Sequence, residues 1–194
     1  MKDTIKVAII GCGGIANGKH MPSLKRLPDV EMVAFCDLIE ERAVKAKEEF
    51  GTADARVYID YKALLASEPE VDAVHVCTPN RSHSFITIDS LEAGKHVMCE
   101  KPMAKTSAEA KAMCEAAKRT GKKVLCVIKA NAYGHGAVHC GLFLEKQGAD
   151  FFAVACLSEA IELREGGITK PILILGYTPE KYAETLAKYD ITQA

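Results

Sequence analysis

The sequence predicts an α/β protein built on a doubly wound parallel sheet. Three observations carry this. Short β-branched runs alternate with helical stretches almost throughout the 194-residue chain, the pattern of repeated right-handed βαβ units. Most strand runs are continuously apolar rather than alternating, as strands buried on both faces of a parallel sheet are. A glycine-rich turn follows the first run and opens a helix.

Strands are expected at Lys6–Ile10, Glu31–Cys36, Ala73–Cys77, His96–Cys99, Lys123–Ile128, Phe151–Ala155 and Ile172–Leu175, with a weaker one near Arg56–Ile59. The helices between them carry their own punctuation. Leu38–Phe50 is closed by Gly51, and Ser82–Ala93 by Gly94, since glycine ends helices at low steric cost. Thr106-Ser107-Ala108-Glu109 reads as a capping box opening a helix that runs to Gly121. Ala137–Lys146 ends near Gly148, Ser158 is placed to cap a helix ending at Gly166-Gly167, and Thr178-Pro179 to open the last. Asp190-Ile191-Thr192-Gln193 reads as the approach to a further strand.

Hydrophobic residues make up 48% and charged residues 26%, a balance that fits a folded globular core. The net charge of −1 gives no global field toward nucleic acid or an anionic membrane. No leader-like segment precedes the first strand and no apolar run reaches membrane-spanning length. Among the eight cysteines, Cys36, Cys77, Cys99, Cys126 and Cys156 lie in or beside apolar strand runs, and no Cys-x-x-Cys pair occurs. They are expected as buried reduced thiols in a cytoplasmic protein, with no metal site.

Gly11-Cys12-Gly13-Gly14-Ile15-Ala16 follows the first strand and fits G-x-G-x-x-G/A. Gly11 permits the tight turn, and Gly13 lets the backbone approach a pyrophosphate. The helix opened by Gly14 and Ile15 points amide donors and a positive dipole end at it. Asp37 ends the second strand, where an acid accepts ribose hydroxyls and repels a 2′-phosphate, so NAD is expected over NADP. A plain glycine turn with Asp37 as a helix cap is the simpler alternative.

Two other strand ends carry polar runs: Thr78-Pro79-Asn80-Arg81-Ser82-His83 and Glu100-Lys101-Pro102. Both fall at the carboxyl edge of the sheet, where open α/β sheets bind ligands. Together with the glycine turn, this order resembles the Gfo/Idh/MocA oxidoreductase family over residues 4–125. The resemblance implies an NAD-binding Rossmann domain in which Thr78, Pro79, Asn80 and His83 line the dinucleotide site, with Glu100 beside it. It implies that Lys101 orients or protonates the oxygen of a small substrate during hydride transfer. An ammonium near a developing alkoxide stabilises its charge. His83 reads equally as a polar helix-start residue and Lys101 as a loop lysine. The family's substrate domain is expected to be missing after Ile128.

Val127-Ile128-Lys129-Ala130-Asn131-Ala132-Tyr133-Gly134-His135-Gly136 and the βα units after it resemble alanine racemase over residues 124–194. That resemblance implies a pyridoxal phosphate-bearing lysine at Lys129, also a catalytic base, with Tyr133 packed at the cofactor. It implies the early units of a TIM-type barrel, without the phosphate cradle and second base that a pyridoxal site needs. Lys129 reads alternatively as a strand-end lysine in a disused motif.

The chain is therefore expected to be a chimera: a Rossmann module over 1–123, and partial barrel units over 124–194 that can pack with it as one body. Strand order 3-2-1-4-5-6 would let Lys123–Ile128 serve both halves. Lys101 and Lys129 would then end neighbouring strands about 5 Å apart, each lowering the other's pKa. NAD binding with residual or no hydride transfer is the leading function. A pyridoxal-dependent isomerase fragment and a non-catalytic scaffold are the alternatives. Open apolar edges predict self-association.

Overall fold

A computed structural model describes residues 4–194, in two compact units, one running to Lys122 and the other Lys123–Ala194. The first holds a five-stranded sheet in the order β3-β2-β1-β4-β5. Its strands are β1 (Ile5–Ile10), β2 (Val30–Cys36), β3 (Arg56–Tyr58), β4 (Ala73–Val76) and β5 (His96–Cys99), all paired in parallel. Val7 and Ile9 of β1 enter one core cluster, with Met32 and Phe35. Ala8 and Ile10 enter another, with Val74 and Ile86. This split across the two faces is why the run Lys-Val-Ala-Ile-Ile has no polar alternation.

The second unit is a four-stranded parallel sheet in the order β6-β7-β8-β9: Leu125–Val127, Phe151–Val154, Ile172–Ile174 and Ile191–Gln193. Phe152, Val154, Ile172, Ile174 and Ile191 pack with Ala160, Leu163 and Ile168 into one cluster. The expected approach to a further strand at Asp190–Gln193 is realised as β9.

Here the expectation of one continuous sheet is overturned. β6 pairs with β7 and not with β5, so Lys101 and Lys129 do not end neighbouring strands. The local crossover decides the pairing. The Ala137–Lys146 helix returns the chain so that Leu125 lies beside Phe151, and the Asp150 carboxylate accepts the Val124 N–H at 2.8 Å.

The helix ends follow their sequence signals with three exceptions. The capping box at Thr106 and Glu109 forms as expected. The helix expected from Leu38 begins at Glu40, because Asp37 Oδ1 accepts the Ile39 N–H and holds Leu38 and Ile39 in a turn. Cys156, not Ser158, stands at the N-cap position of Leu157–Glu165 without a side-chain capping bond, and Glu159 in the first turn accepts the Ala155 N–H. Pro179 takes the cap position expected of Thr178; a 3₁₀ turn, Glu180–Tyr182, leads into the helix Ala183–Lys188. Among the described residues no helix is long and apolar enough to cross a membrane.

Candidate functional site

In the first unit the site is built on the carboxyl ends of β1, β2, β4 and β5. Gly11 has φ +94°, and a Cβ there would lie 2.7 Å from the Cys77 carbonyl carbon and the Thr78 nitrogen. Only glycine lets the β1 turn pass this close to the end of β4. A Cβ at Gly13 or Gly14 would meet nothing within 4 Å, so the turn is open on the side a ligand would approach. Asn17 Nδ2 donates to the Cys12 and Gly13 carbonyls at 2.6 and 3.0 Å, which fixes the turn from the helix side. The Asp37 carboxylate accepts the Cys12 N–H through Oδ2 and the Ile39 N–H through Oδ1, each at 2.9 Å. A carboxylate has about four lone-pair positions, so two stay available to ribose hydroxyls. Ile15 and Leu38 are exposed beside this turn, Leu38 at 86%.

Thr78, Pro79 and Asn80 form the loop after β4; Thr78 Oγ1 accepts the Ser82 hydroxyl at 2.9 Å. His83 is buried, and its ring nitrogens lie 2.7 Å from the Thr78 carbonyl oxygen and 2.8 Å from that of Pro102. It thus joins the Thr78 loop to the turn after β5. In that turn the Lys101–Pro102 bond is cis and Lys101 is exposed. Glu100 Oε2 accepts the Lys101 N–H at 2.9 Å, and Glu100 Oε1 lies 2.7 Å from His20 Nε2. Burial alone would raise the Glu100 carboxyl, but hydrogen bonds from His20 and the Lys101 N–H hold it below its ordinary value.

Three of the cysteines at this crest are poor nucleophiles. Burial, reinforced by Asp37, pushes the Cys12 and Cys36 thiols up to about 12; burial and then Glu100 do the same to Cys77. Among the described residues no group of three or more His, Cys, Asp or Glu could hold a metal ion.

The second unit presents Lys129 on an unusual turn. Ala130, Asn131, Ala132 and Tyr133 all have φ between 52° and 55°, one turn of left-handed backbone that costs roughly 1–2 kcal/mol per residue. Three contacts hold it. Glu159 Oε1 accepts the Ala130 N–H and Oε2 the Ala155 N–H, both at 2.7 Å. Asn131 Oδ1 accepts the Ala137 N–H at 2.7 Å, at the start of the next helix. Lys129 is half-buried and Tyr133 is 50% exposed.

Sequence reading missed Asn17, His20, His75 and Glu159. His20 lies in a π-helical segment, Ala16–His20, whose wider turn removes the spacing that would predict its direction. The Glu159 signal was present, as an acid in the first turn of a helix, but its second partner lies twenty-nine residues earlier.

A strand, a glycine turn passing against the neighbouring strand end, and an acid closing the second strand define a dinucleotide-binding domain of the Rossmann class. Residues 5–127 match the oxidoreductase family with NAD-binding Rossmann fold, and the chain belongs to that family. Residues 104–194 match the alanine racemase N-terminal domain. The chain is thus a chimera in sequence, the two matches overlapping over residues 104–127. It is 44% identical over 119 residues to D-glucoside 3-dehydrogenase of Escherichia coli K12, covering 61% of this chain and 33% of that one. It is 55% identical over 71 residues to alanine racemase 1 of Caldanaerobacter subterraneus subsp. tengcongensis, covering 37% of this chain and 18% of that one. Among solved structures, the WlbA dehydrogenase of Bordetella pertussis, in complex with NADH and UDP-GlcNAcA, superposes with a TM-score of 0.58 at 28% identity. That match covers 64% of this chain and 35% of the other. The chain thus spans about a third of the dehydrogenase and a fifth of the racemase it matches.

Proposed function

We propose that the first unit binds NAD and serves hydride transfer to or from a small hydroxy or carbonyl substrate. The carrying observation is the Gly11 approach to the end of β4 together with the Asp37 carboxylate, tied to the Cys12 N–H with lone pairs to spare. Gly13 and Gly14 leave room for the pyrophosphate at the start of the following helix segment. NAD, when bound, supplies the hydride acceptor. Thr78, Pro79, Asn80 and Ile15 line the dinucleotide, and His83 holds their loop. Lys101, exposed after β5, stands to a substrate oxygen as a cation to a developing alkoxide. The D-glucoside 3-dehydrogenase relative and the NADH in the WlbA structure support this reading. The test is discrimination at the ribose. The Asp37→Ala variant is expected to bind NADH about tenfold more weakly, since a charged hydrogen-bond acceptor is lost, and to close the gap between NADH and NADPH. Unchanged preference for NADH would contradict the assignment of Asp37.

A second reading is favoured by the left-handed turn at Lys129. Lys129 would carry pyridoxal phosphate and Tyr133 would pack at its ring. Borohydride reduction in the presence of pyridoxal phosphate, followed by peptide mass spectrometry, is expected to label Lys129 and to lose that label in Lys129→Ala. Label spread evenly over surface lysines would reject it. A chain that binds neither cofactor is a scaffold.

A further inference from the structure

The contact between His20 and Glu100 belongs to neither motif alone. His20 follows the glycine turn after β1, and Glu100 follows β5. In the order β3-β2-β1-β4-β5, β4 lies between those two strands, so the contact spans the carboxyl edge across β4. It is well shielded, with His20 and Glu100 side chains 14% and 18% exposed. His75 of β4 stands edge-on to the His20 ring, with centroids 5.6 Å apart. Glu100 is therefore held on two sides, by the His20 ring at Oε1 and by the Lys101 N–H at Oε2.

The position along the sheet says which part of a ligand this pair meets. A dinucleotide lies across the switch point with its mononucleotide halves on opposite sides, and the acid ending β2 takes the adenosine ribose. Asp37 is on the β2 side of β1, and the His20–Glu100 contact is on the β4 side. Resting on the NAD reading above, we propose that His20 is a positioning residue for the nicotinamide half of the dinucleotide. It acts through Glu100, which aims the Lys101 turn at that half. The His20 ring donates its Nε2–H to the carboxylate, and His75 keeps that ring from swinging away.

NADH and ADP-ribose separate this role from a general structural one, because ADP-ribose has the adenosine half and pyrophosphate but no nicotinamide. Calorimetric titration of the whole chain with each ligand is compared for wild type, His20→Ala, His20→Gln and Glu100→Gln. The alanine and Glu100→Gln variants are expected to bind NADH about tenfold more weakly, the size of a lost charged hydrogen bond. Their affinity for ADP-ribose is expected to stay at the wild-type value, and the double variant to be no weaker than either single one. His20→Gln, which keeps a side-chain N–H, should recover part of the NADH affinity. Equal weakening for both ligands, or none for NADH, overturns the role of His20 while the NAD reading stands. A wild-type chain that binds neither ligand overturns both.

Discussion

The His75 ring meets the His20 ring edge to face, 5.6 Å between centroids, in a buried setting that disfavours a charge on His75. Burial, and then the neighbouring His20, pull His75 from its usual 6.5 down to about 4. Its Nδ1 is buried with no hydrogen-bond partner among the described residues, so nothing offsets the cost of a charge there. An unfolded His75 takes up a proton near pH 6.5 and the folded one does not. Its contribution is therefore complete above pH 6.5 and is lost as pH falls toward 4, by up to about 3 kcal/mol. Glu100, held below its ordinary value, contributes above that value and loses this lower in pH. Urea unfolding between pH 7 and 5 should show falling stability, and His75→Gln should flatten it. A parallel decline in the variant would show that His75 is not the cause.

Two glycines of the same turn, Gly11 and Gly13, are expected to fail differently. Gly11→Ala forces a Cβ against the Cys77–Thr78 peptide at φ +94°. It should cost more than about 2 kcal/mol and lower the melting midpoint. Gly13→Ala meets open space, so its midpoint should stay within a degree or two of wild type, roughly the effect of a few tenths of a kcal/mol. Its NADH affinity should fall, because the methyl occupies the ligand's side of the turn. Equal melting points for the two variants would contradict the close approach at Gly11.

Thiol reactivity should divide the cysteines. With Cys12, Cys36 and Cys77 pushed up to about 12, almost no thiolate exists on them at pH 8. Cys156, expected from the sequence to be buried, is exposed at the end of the turn after β7 and should react with iodoacetamide first. Mass spectrometry of a timed alkylation reads the order directly. Early labelling of Cys12 would mean that its buried thiol is reached in a way the structure does not show.

Glu159 is expected to be the main support of the Lys129 turn. Glu159→Ala removes the acceptor of both the Ala130 and Ala155 N–H groups, at a cost of about 1–3 kcal/mol. Hydrogen exchange at those two amides should accelerate together, with the β7 and β8 amides still protected. Unchanged exchange at Ala130 would show that the turn holds itself.

Much of this was legible in the sequence because it rests on local chemistry. Continuous apolar runs gave the parallel strands, the Thr106–Glu109 spacing gave its capping box, and the Gly11 pattern gave the tight turn after β1. Strand ends were less legible: β6 is only Leu125–Val127 where six residues, Lys123–Ile128, were expected. The sheet membership of β6 was misread because a buried parallel strand carries no mark of which neighbour it takes. Pairing is settled by partners such as Phe151 and Asp150, reached only through the crossover. His20 and Glu159 were missed for the same reason. Each acts on a residue far away in sequence, and composition at one end says nothing of the other.

On the proposed function, the glycine turn, Asp37 and the Thr78 and Lys101 loops form one working dinucleotide platform. Calorimetric titration of the 194-residue chain with NADH, beside NADPH, tests it most directly. Saturable one-site binding of NADH, tighter than that of NADPH, is the predicted result. No heat of binding for NADH up to millimolar concentration would contradict it.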